Sequence, residues 1–167
     1  MLPLPAAPED LTAPWLSEAL GCEVTGVEVL DHAFATNQRA RIGIGYATPG
    51  TGPASLFVKL APLDPAHRQM IGATGMGERE AQFFADVAGG LDLLVPSCPF
   101  AASRDDLFVL LLEDLTVRDC AFFPEMTGVS ADAAAVALED LARSTRASSP
   151  RPSATGWRRG CAHRAGG

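Results

Sequence analysis

The chain has 167 residues, 47% of them apolar, and a formal net charge of −7. That length and composition suit one domain with a packed core, and no apolar run approaches the length of a membrane span. The acidic balance argues against a nucleic-acid binder. Four scattered cysteines (Cys22, Cys98, Cys120, Cys161), with no CxxC pair and no His at ligand spacing, read as reduced cytosolic thiols rather than a metal site.

Charge is unevenly spread along the chain. Residues 1–141 hold all 20 acidic residues and 7 basic ones, whereas 142–167 hold 6 arginines and no acid. The last stretch also lacks Leu, Ile, Val, Met and Phe, so it cannot bury enough apolar surface to offset its ordering entropy. It is expected to be disordered. A basic tail docking on an acidic partner is one reading. The plainer one is GC-rich DNA translated out of frame or past a truncation.

Residues 1–10 form a Pro/Ala-rich lead-in without the charged n-region of a signal peptide. Thr12 is placed to cap a short helix over 14–20, with Pro14 and Trp15 in its first turn and Gly21 at its end. Alternation of apolar and polar residues predicts strands over 24–30 and 38–46, separated by a turn of small and polar residues at 31–37. A loop at 48–53 leads to a third strand over 56–61, and the short connections imply an antiparallel meander. Residues 62–77 are expected to be irregular, and a helix over 78–88 is stopped by Gly89 and Gly90. An extended segment at 95–102 carries Pro96 and Pro99, which suit a sheet edge. Asp105 and Asp106 turn the chain into 107–112, apolar on both faces and therefore a central strand. Ser130 caps a last helix over 130–142, with Ala134, Ala137, Leu138 and Leu141 on one stripe. The order βββ–α–ββ–α defines an α+β fold: a twisted antiparallel sheet of about five strands with one packed helix.

Among thirteen Lys and Arg residues there is a single lysine, Lys59, set in the apolar run Ser-Leu-Phe-Val-Lys-Leu-Ala (55–61). Burying a charge there is costly unless an anion meets it, and a compact ammonium on a flexible stem suits a phosphate oxygen. Strand alternation puts Lys59 on one face with Phe57 and Ala61, opposite Leu56, Val58 and Leu60. In the helix over 78–88, Glu80 precedes Phe83, Phe84 and Val87 by three, four and seven residues, so it points at the sheet. Glu80 is thus the expected partner of Lys59, with pairing to Arg79 or Arg41 as the alternative. The loop at 31–37 offers backbone N–H groups and the Thr36 hydroxyl to a phosphate, although it has Ala33 and Ala35 where glycines usually let a backbone approach. Gly72-Ala-Thr-Gly-Met-Gly77 has no Gly-Lys-Ser/Thr, so neither a P-loop nor a dinucleotide fingerprint is supported.

Taken in order, Thr36-Asn-Gln-Arg-Ala-Arg41, Phe-Val-Lys-Leu, Glu-Ala-Gln-Phe-Phe and Leu-Leu-Leu-Glu-Asp-Leu resemble the amino-terminal lobe of the aminoglycoside phosphotransferase and choline kinase-like family. The resemblance covers residues 10–142 and implies a protein-kinase-like N-terminal lobe and ATP-dependent phosphorylation of a small-molecule hydroxyl. It implies that Lys59 holds the α- and β-phosphates and that Glu80 orients it. Loop residues 31–37, with Thr36 and Asn37, would cover the phosphates, and the backbone of Glu113, Asp114 and Leu115 would be the hinge contacting adenine. The chain then divides into a lead-in and short helix (1–23), the nucleotide-binding lobe (24–116), a linker with the first helix of a second lobe (117–142) and the tail (143–167).

The family's second lobe carries a His-Gly-Asp catalytic loop, a following Asn and a later metal-binding Asp. Here His32, His67 and His163 are followed by Ala-Phe, Arg-Gln and Arg-Ala, so none begins that loop. The resemblance ends within a few residues of the change in composition at 142. The chain is therefore expected to be a truncated or frameshifted piece of a cytoplasmic phosphotransferase. It would bind ATP weakly and lack catalytic residues and protein ligands for Mg2+. Its partners would be a nucleotide and, in full-length members, a small-molecule acceptor. Neither nucleic acid nor membrane is expected, whereas self-association through an exposed lobe interface is. The alternative is a non-catalytic kinase-like binding or regulatory module that docks through its arginine tail.

Overall fold

The computed structural model describes residues 2–91, 94–118, 120, 122 and 128–144. The expected disordered tail lies outside the described residues from 145 onward, as do parts of the linker. Among the described residues, five strands form one antiparallel sheet: β1 (Val24–Phe34), β2 (Gln38–Tyr46), β3 (Ser55–Leu60), β4 (Phe100–Arg104) and β5 (Leu107–Glu113), in the order β1-β2-β3-β5-β4. Four α-helices accompany them: α1 (Ala13–Leu20), α2 (Pro65–Thr74), α3 (Met76–Gln82) and α4 (Ala131–Ser144). The fold class is α+β, as the sequence predicts.

The helix signals read from sequence are the ones used. The Thr12 side chain accepts from the Trp15 N–H at 3.4 Å, and Gly21 closes α1 with φ 68°, a left-handed conformation that glycine adopts without strain. One sheet face meets α1. Leu11, Trp15, Leu16 and Leu20 pack there against Ile42, Leu56, Val58, Val109 and Leu111, all buried. Each such side chain contributes about 1.5–3 kcal/mol of burial, so this face supplies most of the core. Trp15 reaches the far edge strand, edge-on to Phe100 at a centroid distance of 5.4 Å. Gln38, 1% exposed, donates to the carbonyls of Ala6 (2.7 Å) and Ala61 (2.6 Å) and ties the lead-in to the end of β3. The other sheet face carries a smaller cluster, in which Leu110 and Leu112 meet Ala81 of α3, flanked by Phe57, Phe84, Cys98 and Ala101. β5 is buried from Phe108 to Leu112, as its two-sided apolar pattern requires.

Several expectations are corrected. β1 does not stop at 30 but runs through Phe34, because irregularities at Val24/Gly26 and Val29/Asp31 re-phase the strand and let it keep pairing with β2. The presumed turn at 31–37 is therefore strand to Phe34, with a tight loop at 35–37 closed by the Ala35 N–H donating to the Asn37 carbonyl at 3.0 Å. The segment 62–77 is helical. Asp64 caps α2 by accepting from the His67 N–H at 2.8 Å, Pro65 opens it, and Gly75 at φ 65° separates it from α3. The helix expected over 78–88 begins at Met76, turns π-helical over Phe83–Val87 and ends in a 3-10 turn over Ala88–Gly90. Its buried positions are Gly77, Ala81 and, beyond the π turn, Ala88, while Val87, expected on the stripe, is 46% exposed. With α1 also on the sheet, the packing is two-sided rather than one helix on one sheet. α4 runs two residues past 142, with Ser130 accepting from the Ala133 N–H, and Val136 and Leu138 on it are exposed.

Candidate functional site

Three cations rise from adjacent positions on the sheet face that bears α3. In the β2–β3 ladder Arg39 stands opposite Lys59 and Arg41 opposite Phe57. In the β3–β5 ladder Lys59 stands opposite Leu110 and Phe57 opposite Leu112. Lys59 meets Glu80 as expected, with its Nζ 2.5 Å from Oε1 and 2.7 Å from Oε2. The pair is shielded but reachable, the Lys59 side chain being 18% exposed and that of Glu80 34%. Neither alternative partner takes Glu80. Arg79 donates to the Thr74 carbonyl, and Arg41 bonds Asp31 and Asp114.

Arg41 makes a second charged junction. Its Nε lies 3.1 Å from Asp114 Oδ2 and its guanidinium 3.1 Å from Asp31 Oδ2, so β2 binds the end of β1 to the segment after β5. Asp114 is 1% exposed. It accepts from Ser55 Oγ (2.7 Å), Thr116 Oγ1 (2.6 Å) and the Thr116 N–H (3.0 Å). Burial pushes its carboxyl up, but these bonds and the Arg41 bond outweigh burial and bring the pKa down to about 2. Its side chain is therefore committed to structure. Neighbouring Glu113 has its N–H on the Ser97 carbonyl at 2.8 Å and its carboxylate on Arg118 at 2.8 Å. Burial raises its carboxyl, and the Ser97 N–H and Arg118 more than reverse that, leaving it below the ordinary value. Leu115 is half-buried beside them.

Between the charges and the Glu113–Leu115 segment the sheet is apolar. Phe57 and Leu112 lie side by side, and the Leu30 side chain leans over Gly43, 3.5 Å from where a Cβ would stand. At the hairpin tip Thr36 is exposed, while Asn37 Oδ1 accepts from Arg39 Nε at 3.3 Å. Thus Lys59 and Glu80 are joined, Asn37 is brought to the same face through Arg39, and Glu113–Leu115 border it. The junction of Arg41 with Asp114 and the exposure of Arg39 were not legible as site features. Alternation of Arg39, Arg41 and Gly43 along β2 was the available signal. Among the described residues no cluster of three or more His, Cys, Asp or Glu could hold a metal, and no helix is long and apolar enough to cross a membrane. Comparison of the chain with protein-family models, with curated proteins and with solved structures finds no match.

Proposed function

We propose that this chain is the nucleotide-binding lobe of an ATP-dependent small-molecule phosphotransferase of the aminoglycoside phosphotransferase and choline kinase-like type. The observation that carries the reading is the two-oxygen contact of Lys59 with Glu80. In protein kinases a lysine on the third strand holds the nucleotide phosphates and must be paired with a glutamate on the helix that follows. Here the lysine is on β3 and its partner on α3, and the pair keeps the ammonium in place without enclosing it. ATP fits the donor set. Its phosphates would meet Lys59 beneath the loop of Thr36 and Asn37. Its base would lie on Phe57, Leu112 and Leu30, with its edge toward the backbone of Glu113, Asp114 and Leu115.

Phosphoryl transfer depends on positioning the nucleophile and neutralising developing charge. The sequence contains no His-Gly-Asp, and among the described residues no group of three His, Cys, Asp or Glu could hold Mg2+, so the chain alone is read as a binder without transfer activity. The test is a fluorescent ATP analogue titrated into the purified chain, chased by ATP and followed by a phosphotransfer assay. Saturable, ATP-displaceable binding with no phosphorylated product is expected. Phosphorylation of any small hydroxyl compound, or no displaceable binding, contradicts the proposal.

A second reading, a non-catalytic binding module, draws on the exposed Val117, Phe122, Val136 and Leu138. Exposed apolar side chains in such number suit contact with another protein surface or a second copy. Concentration-dependent sedimentation of the chain in the absence of nucleotide tests it. A strictly monomeric species contradicts it.

A further inference from the structure

Three carboxylates close to Lys59 already have a cation. Glu80 takes Lys59, while Asp31 and Asp114 share Arg41. Arg39 is left over. It is exposed, it forms no ion pair among the described residues, and its one hydrogen bond there is from Nε to Asn37 Oδ1. That bond fixes the inner edge of the guanidinium and leaves both terminal nitrogens to donate. Arg39 and Lys59 are direct cross-strand neighbours, and Glu80 offsets only one of these two like charges. A guanidinium fork beside an ammonium is the donor set that takes neighbouring oxygens of a polyphosphate, the planar group bidentately and the point charge singly.

We propose that Arg39, oriented by Asn37, is a second phosphate-binding cation that works with Lys59 and makes the site select a di- or triphosphate over a monophosphate. This rests on the nucleotide reading above. Asn37 acts as a positioning residue, whereas Arg39 touches the ligand.

The test is calorimetric titration of the 167-residue chain and its variants with ATP, AMP and inorganic tripolyphosphate. The wild type is expected to prefer ATP to AMP and to bind tripolyphosphate. Arg39→Ala should weaken ATP and tripolyphosphate roughly tenfold to a hundredfold, the loss of a charged hydrogen-bond donor, and abolish the preference over AMP. Arg39→Lys should recover part of the affinity, and the melting temperature should stay unchanged in both because the side chain is exposed. ATP binding that falls with Lys59→Ala but not with Arg39→Ala overturns this inference alone. Tripolyphosphate binding lost in Arg39→Ala, with no difference between ATP and tripolyphosphate in the wild type, keeps the anion site and overturns the nucleotide reading. Failure of the wild type to bind either ligand overturns both.

Discussion

Arg41 and Asp114 are 73 positions apart, yet the Arg41 Nε sits 3.1 Å from a carboxylate oxygen that is almost wholly buried. The junction joins β2 to the segment after β5 and holds the apolar strip of Phe57 and Leu112 between its ends. It also gives the fold a defined acid sensitivity. The Asp114 carboxyl has an ordinary value of 3.8 and a folded value of about 2. A depressed folded pKa stabilises the fold fully above the unfolded value, and the contribution is lost as pH falls from about 4 through about 2. Its size is about 2 kcal/mol. Chemical denaturation in that window should show a falling midpoint in the wild type. In Asp114→Asn the midpoint should start lower and fall less. Parallel curves for the two proteins would count against the assignment.

Gly77 lies where α3 crosses β5, and a Cβ added there would run into the buried ring of Phe108. Overpacking of this kind costs about 1–3 kcal/mol. Gly77→Ala is therefore expected to lower the melting temperature and to lift α3 enough to loosen Glu80 from Lys59, weakening nucleotide binding as well. A variant that melts and binds like the wild type would show that the helix has room to spare.

Cys98 packs beside Phe57, Phe84 and Ala101. Burial is the main cause that pushes its thiol up to about 12, and the charge of Glu80 adds to it. Only the thiolate attacks an alkylating reagent. Iodoacetamide at pH 8 should modify exposed Cys120 quickly and leave Cys98 intact until the chain unfolds. Peptide mapping that finds Cys98 alkylated first would contradict the packing of α3.

Removing one member of the Lys59–Glu80 pair leaves a shielded charge without its counter-ion. Glu80→Leu should cost about 1–2 kcal/mol, less than the roughly 3–5 kcal/mol of a fully buried pair because both side chains keep some contact with water. Lys59→Met combined with Glu80→Leu should recover most of that loss, since a well-packed apolar pair can replace an ion pair. Urea unfolding of the two single variants and the double variant gives the coupling directly. Strictly additive losses would mean that the two side chains do not depend on each other.

Most of the sheet was legible because its residues alternate cleanly. β2 was placed from 38 to 46, and the side of β3 that carries Lys59 followed from Leu56, Val58 and Leu60 on the other. Glu80 is legible because it shares helical spacing with Phe83 and Phe84, whereas the π turn over 83–87 leaves Val87 exposed and Ala88 buried, which spacing does not foretell. The full length of β1 is not legible because its irregularities break the alternation that marks a strand. α2 leaves no signal in apolar spacing because it buries no residue and so has no apolar stripe. Asp64 followed by Pro65 was the capping signal that would have found it. Contacts such as Arg41–Asp114 and Ser55–Asp114 leave no local trace, since no periodicity links residues on strands so far apart in the chain.

Calorimetric titration of ATP into the wild type and Lys59→Ala, side by side, tests the central claim most directly. The wild type should bind at one site. Lys59→Ala should lose at least about tenfold in affinity, the worth of one charged hydrogen bond to phosphate, while losing no more than about 1–2 kcal/mol of stability from the broken pair with Glu80. Equal binding by the two proteins, or no binding by the wild type, would contradict the assignment of this face to a nucleotide.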